Sequence, residues 1–302
     1  MVLRDHLEKL YYFFEVAKAG SFKEASNKIA ITQPSITKSV QVLENGLELK
    51  LFRRKPRGVE LTLEGELLLN YCHQLFSQLN DLEIKMKSPE DPMAGSLKVG
   101  TFDSIAIYFW PQFLKGFLSK YPRLNLELTT GRSHEIQQMV EKGKLDIGLI
   151  VEPRTTQHSN AIPLAQDSFH LYESTEATKI YETRNKAPLV YMADALAGEE
   201  GLILERVFDR LEGDLQRILY QTSSLESAKE FTASGIGLGL LPKLVAAEGI
   251  ERGKISPISI EGFPEDGIGQ HNIGLVYSKY RENSETLRTL VEEIKQHPWP
   301  EH

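Results

Sequence analysis

The stretch over residues 20–62 constrains this chain most, because it packs two short helical patterns with almost no chain between them. In the first, over 22–30, Phe22, Ala25 and Ile29 share one face. The second follows Ile31. Thr32 is its expected N-cap, with a hydroxyl able to accept from a free amide of the first turn. Pro34 fits that turn, where its missing N–H costs no intrahelical bond. Ile36, Val40 and Leu43 then recur at the spacing of one buried face. Two helices joined so tightly form a helix-turn-helix, and the small Ala25 suits a close crossing. The opposite face of the second helix carries Gln33, Ser35, Thr37, Lys38, Ser39 and Gln41. These side chains either face solvent or reach base edges and phosphates from a major groove. Arg53, Arg54, Lys55 and Arg57 then place four cations within five residues, ahead of a short strand over 59–62. A basic turn beside a helix-turn-helix reads as a wing lying along a phosphate backbone.

The charge balance opposes this reading only until it is divided. The whole chain is at −7, but residues 1–62 hold eleven Lys and Arg against seven Asp and Glu. The remaining 240 residues carry twenty-four against thirty-five. The basic part is the part with the helix-turn-helix, as an electrostatic footprint on one domain requires, and contact with DNA is expected there alone.

The residues from 7 to 86 resemble the winged helix-turn-helix and linker helix of LysR-type transcriptional regulators. The resemblance rests on Phe13-Phe14, Gly20-Ser21-Phe22, Ala25-Ser26, Thr32-Gln33-Pro34-Ser35, Leu43-Glu44, Leu51-Phe52-Arg53-Arg54 and Leu61-Thr62-Leu63-Glu64-Gly65. Residues 47–50 depart from it, lacking a Gly common there. It implies a DNA-binding regulator that touches double-stranded DNA through Gln33, Pro34, Ser35, Thr37 and Lys38 on the recognition helix and through Arg53, Arg54, Lys55 and Arg57 on the wing.

The organisation follows in order. Leu7, Leu10, Phe14 and Ala17 mark the buried face of a first helix ending near Gly20; Tyr11, Tyr12 and Phe13 add core and rim. Residues 1–62 are read as the winged helix-turn-helix domain and 63–87 as a dimerisation linker helix capped by Thr62. Leu68, Cys72, Leu75, Leu79, Leu82 and Met86 form a heptad seam there. The seam packs either on the chain's own second domain or, as the resemblance implies, on the same helix of a second protomer. Cys72 is then a small buried apolar residue or half of a cross-seam thiol pair. Residues 88–95, with two prolines and a glycine, are a hinge.

From 96 to 302 strands and helices alternate, with strands over 97–101, 124–128, 145–151, 169–172, 189–191, 218–220 and 273–277. Helices are expected over 105–120, from Ser133 to 142, over 202–212, from about 224 to 233, and over 284–296. That alternation predicts a mainly parallel α/β sheet. The resemblance makes it a two-lobed, periplasmic-binding-protein-like effector domain, with lobe I at 96–162 and 268–302 and lobe II at 163–267. Ligands of open α/β sheets bind beyond the carboxyl ends of strands, where helix N-termini present free amides. This selects Thr101, Asp103 and Ser104, then Thr130, Arg132 and Ser133, and in the other lobe Ser224, Ile236 and Gly237. The three serines are equally readable as N-caps. The glycines over 235–242 lack dinucleotide-binding spacing and resemble the segment LysR regulators carry at the cleft mouth. Asp103 disfavours a bare carboxylate effector, whereas Arg132 favours one.

Other classes fit less well. None of the eight histidines forms an HxxxH or HExxH pair, and no GxSxG elbow or Walker loop is present. No catalysis, cofactor or metal site is therefore expected. A solute-binding transport protein would share the clamp but needs an export signal and no wing. With 41% hydrophobic residues, one cysteine and no bilayer-length apolar run, a cytoplasmic protein without a membrane partner is expected. The resemblance implies an inverted-repeat target, a homodimer through the linker helix, a homotetramer, and a small-molecule effector that changes the bend in DNA.

Overall fold

The computed structural model describes residues 6–56, 58–87, 95–192, 219–282 and 284–299. Arg57, the expected helix over 202–212 and hinge residues 88–94 lie outside them. Gly95 already opens a strand.

The N-terminal unit begins with α1 (Leu7–Ala19), which stops where Gly20 turns left-handed at φ 65°. Next come α2 (Phe22–Ile29) and α3 (Gln33–Leu47). Ser21 caps α2 by accepting from the Glu24 amide. Thr32 does not cap α3; its hydroxyl pairs with that of Ser35 at 2.9 Å instead. Phe13, Val16, Ala25, Ile36 and Leu43 are fully buried. The buried face of α1 is Leu10, Phe13, Phe14 and Val16, with Leu7 exposed, because α3 and α4 grip the helix from two sides. A larger residue at Ala25 would overpack the α2–α3 crossing at a cost of about 1–3 kcal/mol.

The wing is a two-stranded antiparallel ribbon, β1 (Phe52–Arg54) and β2 (Val59–Leu61). Two glycines seat it. Gly58 has φ 89°, and a Cβ there would lie 2.4 Å from the Gly20 carbonyl oxygen. The neighbouring Val59 amide donates to that oxygen at 2.9 Å. At Gly65 a Cβ would lie 2.2 Å from the Leu51 carbonyl oxygen, which the Thr62 amide reaches at 3.0 Å.

Helix α4 (Leu63–Lys87) starts at Thr62, whose hydroxyl accepts from the Gly65 amide at 3.0 Å. The heptad seam divides. Leu68, Cys72 and Leu75 turn into the winged-helix core beside Phe14 and Phe76. Cys72 is 2% exposed, so it faces its own domain and not a seam, and burial pushes its thiol up to about 12. Leu63, Leu67, Tyr71, Leu82 and Met86 are the apolar groups left outside. A heptad count identifies a stripe but not which neighbour claims each turn of it, and α1 claims the first turns. The same helix also touches the C-terminal domain at the turn Lys279–Arg281. There the His73 ring lies against Gly143, and burial, then nearby Lys18, pushes it down to about 4.

Among the described residues the C-terminal domain is built on one nine-stranded sheet. In the first lobe β3 (Gly95–Thr101) pairs in parallel with β4 (Leu124–Thr130) and β5 (Ile147–Val151). In the second, β7 (Leu189–Met192) pairs in parallel with β8 (Leu219–Thr222) and β9 (Leu238–Pro242). Two long strands run between them, β6 (Ser159–Ser174) and β11 (Ile268–Ser278), antiparallel to each other and to their neighbours. The short β10 (Ile255–Pro257) lies beside β6. The mainly parallel expectation therefore holds within each lobe and fails at the crossing. The second lobe boundary falls at the start of β11 and the first falls inside β6.

The expected helix over 105–120 breaks at Phe109 into α5 (Asp103–Tyr108) and α6 (Trp110–Lys120), with Pro111 in the first turn of α6. The remaining α-helices among the described residues are α7 (Ser133–Glu141), α8 (Leu225–Ala233), α9 (Lys243–Glu251) and α10 (Glu285–Gln296). Ser224 and Ser284 cap α8 and α10, as their positions predict. The Gly-rich segment ends as β9, and α9 follows where no helix was expected. No described helix is long and apolar enough to cross a membrane.

Candidate functional sites

On the N-terminal unit, Gln33, Pro34, Ser35 and Lys38 are exposed along one face of α3, and Thr37 is half-buried. The Thr37 hydroxyl donates to the Gln33 carbonyl at 2.8 Å, which leaves its oxygen as an outward acceptor. Arg53 and Arg54 are exposed on β1, whereas Phe52 between them and the core packs on the rings of Phe13 and Phe22. Lys55 pairs with Glu60 at 2.7 Å in the open. Two acids of this unit, Glu15 and Glu44, are withdrawn from its surface. Glu15 is 5% exposed and accepts from Lys28 at 2.6 Å.

Glu44 accepts from the amides of Leu51 at 2.8 Å and Phe52 at 3.3 Å and from Lys50 at 2.9 Å. Burial alone would raise the Glu44 carboxyl, but the Lys50 and amide bonds outweigh it and hold the group below its ordinary value. One buried carboxylate thus joins the end of α3 to the root of the wing.

Between the lobes lie two cavities, of about 740 Å³ and 210 Å³. Ser104 and Arg132 line both, Ser133 the larger, and Asp103 and Ser224 the smaller. Ser133 is not a cap, because its hydroxyl accepts from the Val151 amide at 3.1 Å and so ties α7 to the end of β5. Four expected residues lie outside both cavities. Thr101 is fully buried, and its hydroxyl is spent between the Leu149 carbonyl at 2.9 Å and the Trp110 indole N–H at 3.1 Å. Thr130 points to solvent. Ile236 and Gly237 sit behind the cleft wall, where a Cβ on Gly237 would lie 2.5 Å from the Pro188 carbonyl.

Sequence reasoning missed most of the lining. Glu141 accepts from Thr156 at 2.8 Å and Ser159 at 3.2 Å. Glu152 adopts a left-handed backbone at φ 52° and accepts from the Asn272 amide at 2.6 Å. Asp167 accepts from the amides of Ser168, Lys243 and Leu244, capping α9 from the crossing strand β6. Of these, only the position of Asp167 before an apolar run carried any signal, and its cap acts on a helix 76 residues away.

A third cluster ties the lobes together. The Lys229 ammonium on α8, its side chain 7% exposed, donates to Tyr108 of α5 at 2.6 Å and to Glu248 of α9 at 3.0 Å, and lies 3.1 Å from Glu226. Tyr108 donates in turn to Glu226 at 2.6 Å. Burial would lower the Lys229 ammonium, but these partners hold it above its usual range. Burial and then Glu226 raise the Tyr108 phenol.

Comparison with known proteins agrees with this geometry. Residues 7–66 match the family model described as bacterial regulatory helix-turn-helix protein, lysR family, and residues 90–299 match the LysR substrate binding domain. The HTH-type transcriptional regulator YofA of Bacillus subtilis (strain 168) is 28% identical over 234 residues, covering 78% of this chain and 80% of YofA. A full-length OxyR variant from Pseudomonas aeruginosa superposes with a TM-score of 0.65 at 18% identity, over 97% of this chain and 98% of its own. Full-length CbnR, solved with its target DNA, superposes at 0.52 and 22% identity, over 96% and 98%.

Proposed function

This chain belongs to the LysR family of transcriptional regulators, with a DNA-binding helix-turn-helix and a C-terminal effector-binding domain, and we propose which surfaces do the work. Gln33, Pro34, Ser35, Thr37 and Lys38 on α3 enter the major groove. Arg53, Arg54, Lys55 and Arg57 hold phosphates from the wing. The observation that carries this is the exposure of Arg53 and Arg54 without an ion-pair partner among the described residues, with Glu15 and Glu44 buried and Glu60 engaged by Lys55. Cations left free in this way are available to displace counterions from DNA.

A small-molecule effector binds in the interlobe cleft against Ser104, Arg132 and Ser133. It acts through the Tyr108–Lys229 cluster, which holds the two lobes in register. The outward apolar stripe of α4, Leu63, Leu67, Tyr71, Leu82 and Met86, pairs two protomers. The DNA target is then an inverted repeat, and two such dimers assemble as a homotetramer. The protein works in the cytoplasm as a regulator, with no catalysis of its own.

The test is a salt titration of DNA binding. Replacing Arg53 and Arg54 together with Ala should weaken binding to specific and random DNA alike and reduce the salt slope by about 2. An unchanged slope would remove the wing from the interface. Gln33→Ala should instead narrow the gap between specific and random DNA.

A further inference from the structure

The charges around the interlobe cleft say what kind of effector it takes. Among the described residues, six carboxylates line the two cavities: Asp103, Glu135, Glu141, Glu152, Asp167 and Glu226. Only two guanidiniums, Arg132 and Arg154, face them. With Lys229 beside Glu226, three cations face these six carboxylates, so the cleft keeps a net negative charge. Glu141 and Glu152 accept from hydroxyl and amide donors, which fix their position and leave the charge in place. Asp167 sits at the start of α9, where the helix dipole absorbs part of its charge. Glu226 is balanced by Lys229. Asp103 and Glu135 stand at the rim of the smaller cavity, exposed and without an ion pair among the described residues.

Ser104 lines the same cavity. It is 6% exposed and lines both cavities, yet its hydroxyl has no hydrogen-bond partner among the described residues. A polar group buried to that degree is ordinarily satisfied. Here the open direction is the cavity, so the partner to be supplied is a ligand atom. The hydroxyl oxygen can accept from an ammonium or guanidinium N–H, and the carboxylates around it supply the charge complement. Concave walls lined mainly with one sign of charge concentrate ions of the other sign.

We propose that the effector is cationic, a small molecule bearing an ammonium or guanidinium group that binds Ser104 from the side of Asp103 and Glu135. This rests on the interlobe cleft being the effector site. An amino acid is accommodated as well as a simple amine, its carboxylate turned toward Arg154 in the larger cavity.

The test uses the full-length protein and calorimetric titration with three probes sharing a four-methylene spacer: putrescine, neutral 1,4-butanediol and dianionic adipate. L-arginine and L-lysine form a second arm that adds a carboxylate. The expected result is binding of at least one cationic probe and neither butanediol nor adipate, with affinity falling as salt rises. Asp103→Asn combined with Glu135→Gln should weaken that binding about tenfold or more. Preference for adipate, failure of every cationic probe at millimolar concentration, or indifference to the double substitution would each overturn the proposal. Ser104→Tyr, which fills the cleft, separates the two levels. Cation binding that survives it places the ligand elsewhere and removes the cleft as effector site. Adipate binding that it abolishes keeps the cleft and removes only the cationic class.

Discussion

The DNA-facing unit and the interlobe cleft use charge in opposite ways. On the N-terminal unit the cations Lys38, Arg53 and Arg54 stand in solvent, while the acids Glu15 and Glu44 are buried and bonded. In the C-terminal domain the carboxylates line an open cavity, and the cation Lys229 is the buried and bonded group. A polyanion is met well by many exposed cations, each weak and salt-sensitive, because their effects accumulate along the backbone. A small ligand meets few groups, so each must be held in place by neighbours before it arrives. The first surface needs little support around each side chain, and the second is mostly support.

Substitutions at three positions put that contrast under strain. The largest effect is expected at Lys229. Removing it by Lys229→Ala leaves Glu226, Glu248 and Tyr108 without their shared cation, at a cost of about 3 kcal/mol to the effector domain once the partial exposure of the two carboxylates is allowed for. A thermal scan should show that domain's transition fall, with the salt slope of DNA binding unmoved. A transition that stays in place would mean the cluster carries no load between the lobes.

Glu44→Ala tests the same logic on the other side, since it strands the Leu51 and Phe52 amides at the root of the wing. A loss on the order of 2–3 kcal/mol is expected, with weaker DNA binding because the wing loses its anchor. The pH dependence has a definite sign. Glu44 is held below its ordinary value in the fold, so its contribution is complete above the ordinary carboxylate range. It is lost as pH falls through the lower, folded value. Glu44→Gln should therefore flatten the acid limb of the N-terminal unit's stability profile; an unaltered limb would assign acid unfolding to another group.

The smallest effect is expected at Glu60, which pairs with Lys55 in the open. Glu60→Gln should change stability by less than about 1 kcal/mol while freeing a cation on the wing, steepening the salt dependence of DNA binding slightly. A large stability loss would show the pair to be structural and would blur the contrast between the two surfaces.

Legibility followed the span of the contacts. Thr62 and Ser224 were readable as caps because each bonds an amide three residues away, and Ser21 and Ser284, not read as caps, follow the same rule. Thr32 failed by the same local rule, since Ser35 offered its hydroxyl a nearer partner. The α4 seam matched in period, but its first turns went to the chain's own winged-helix core, because a stripe does not say that α1 will take Cys72 and leave Tyr71 outside. The strand termini pointed to Ser104, Arg132 and Ser133, yet the same rule also selected Thr101, whose hydroxyl the Trp110 indole and Leu149 carbonyl had already claimed.

The sequence by itself determined the helix-turn-helix, the basic wing and the division of charge between the domains. Each depends on residues within a few turns of one another, where spacing and side-chain chemistry are enough. Only the tertiary structure decided the cleft. Glu226 meets Tyr108 across 118 positions and Asn272 meets Glu152 across 120. The two crossing strands, β6 and β11, close those distances by pairing with each other along their length. Loop closure brings such groups together through the packing of the whole sheet, and no local pattern records which carboxylates will face one another when it is done.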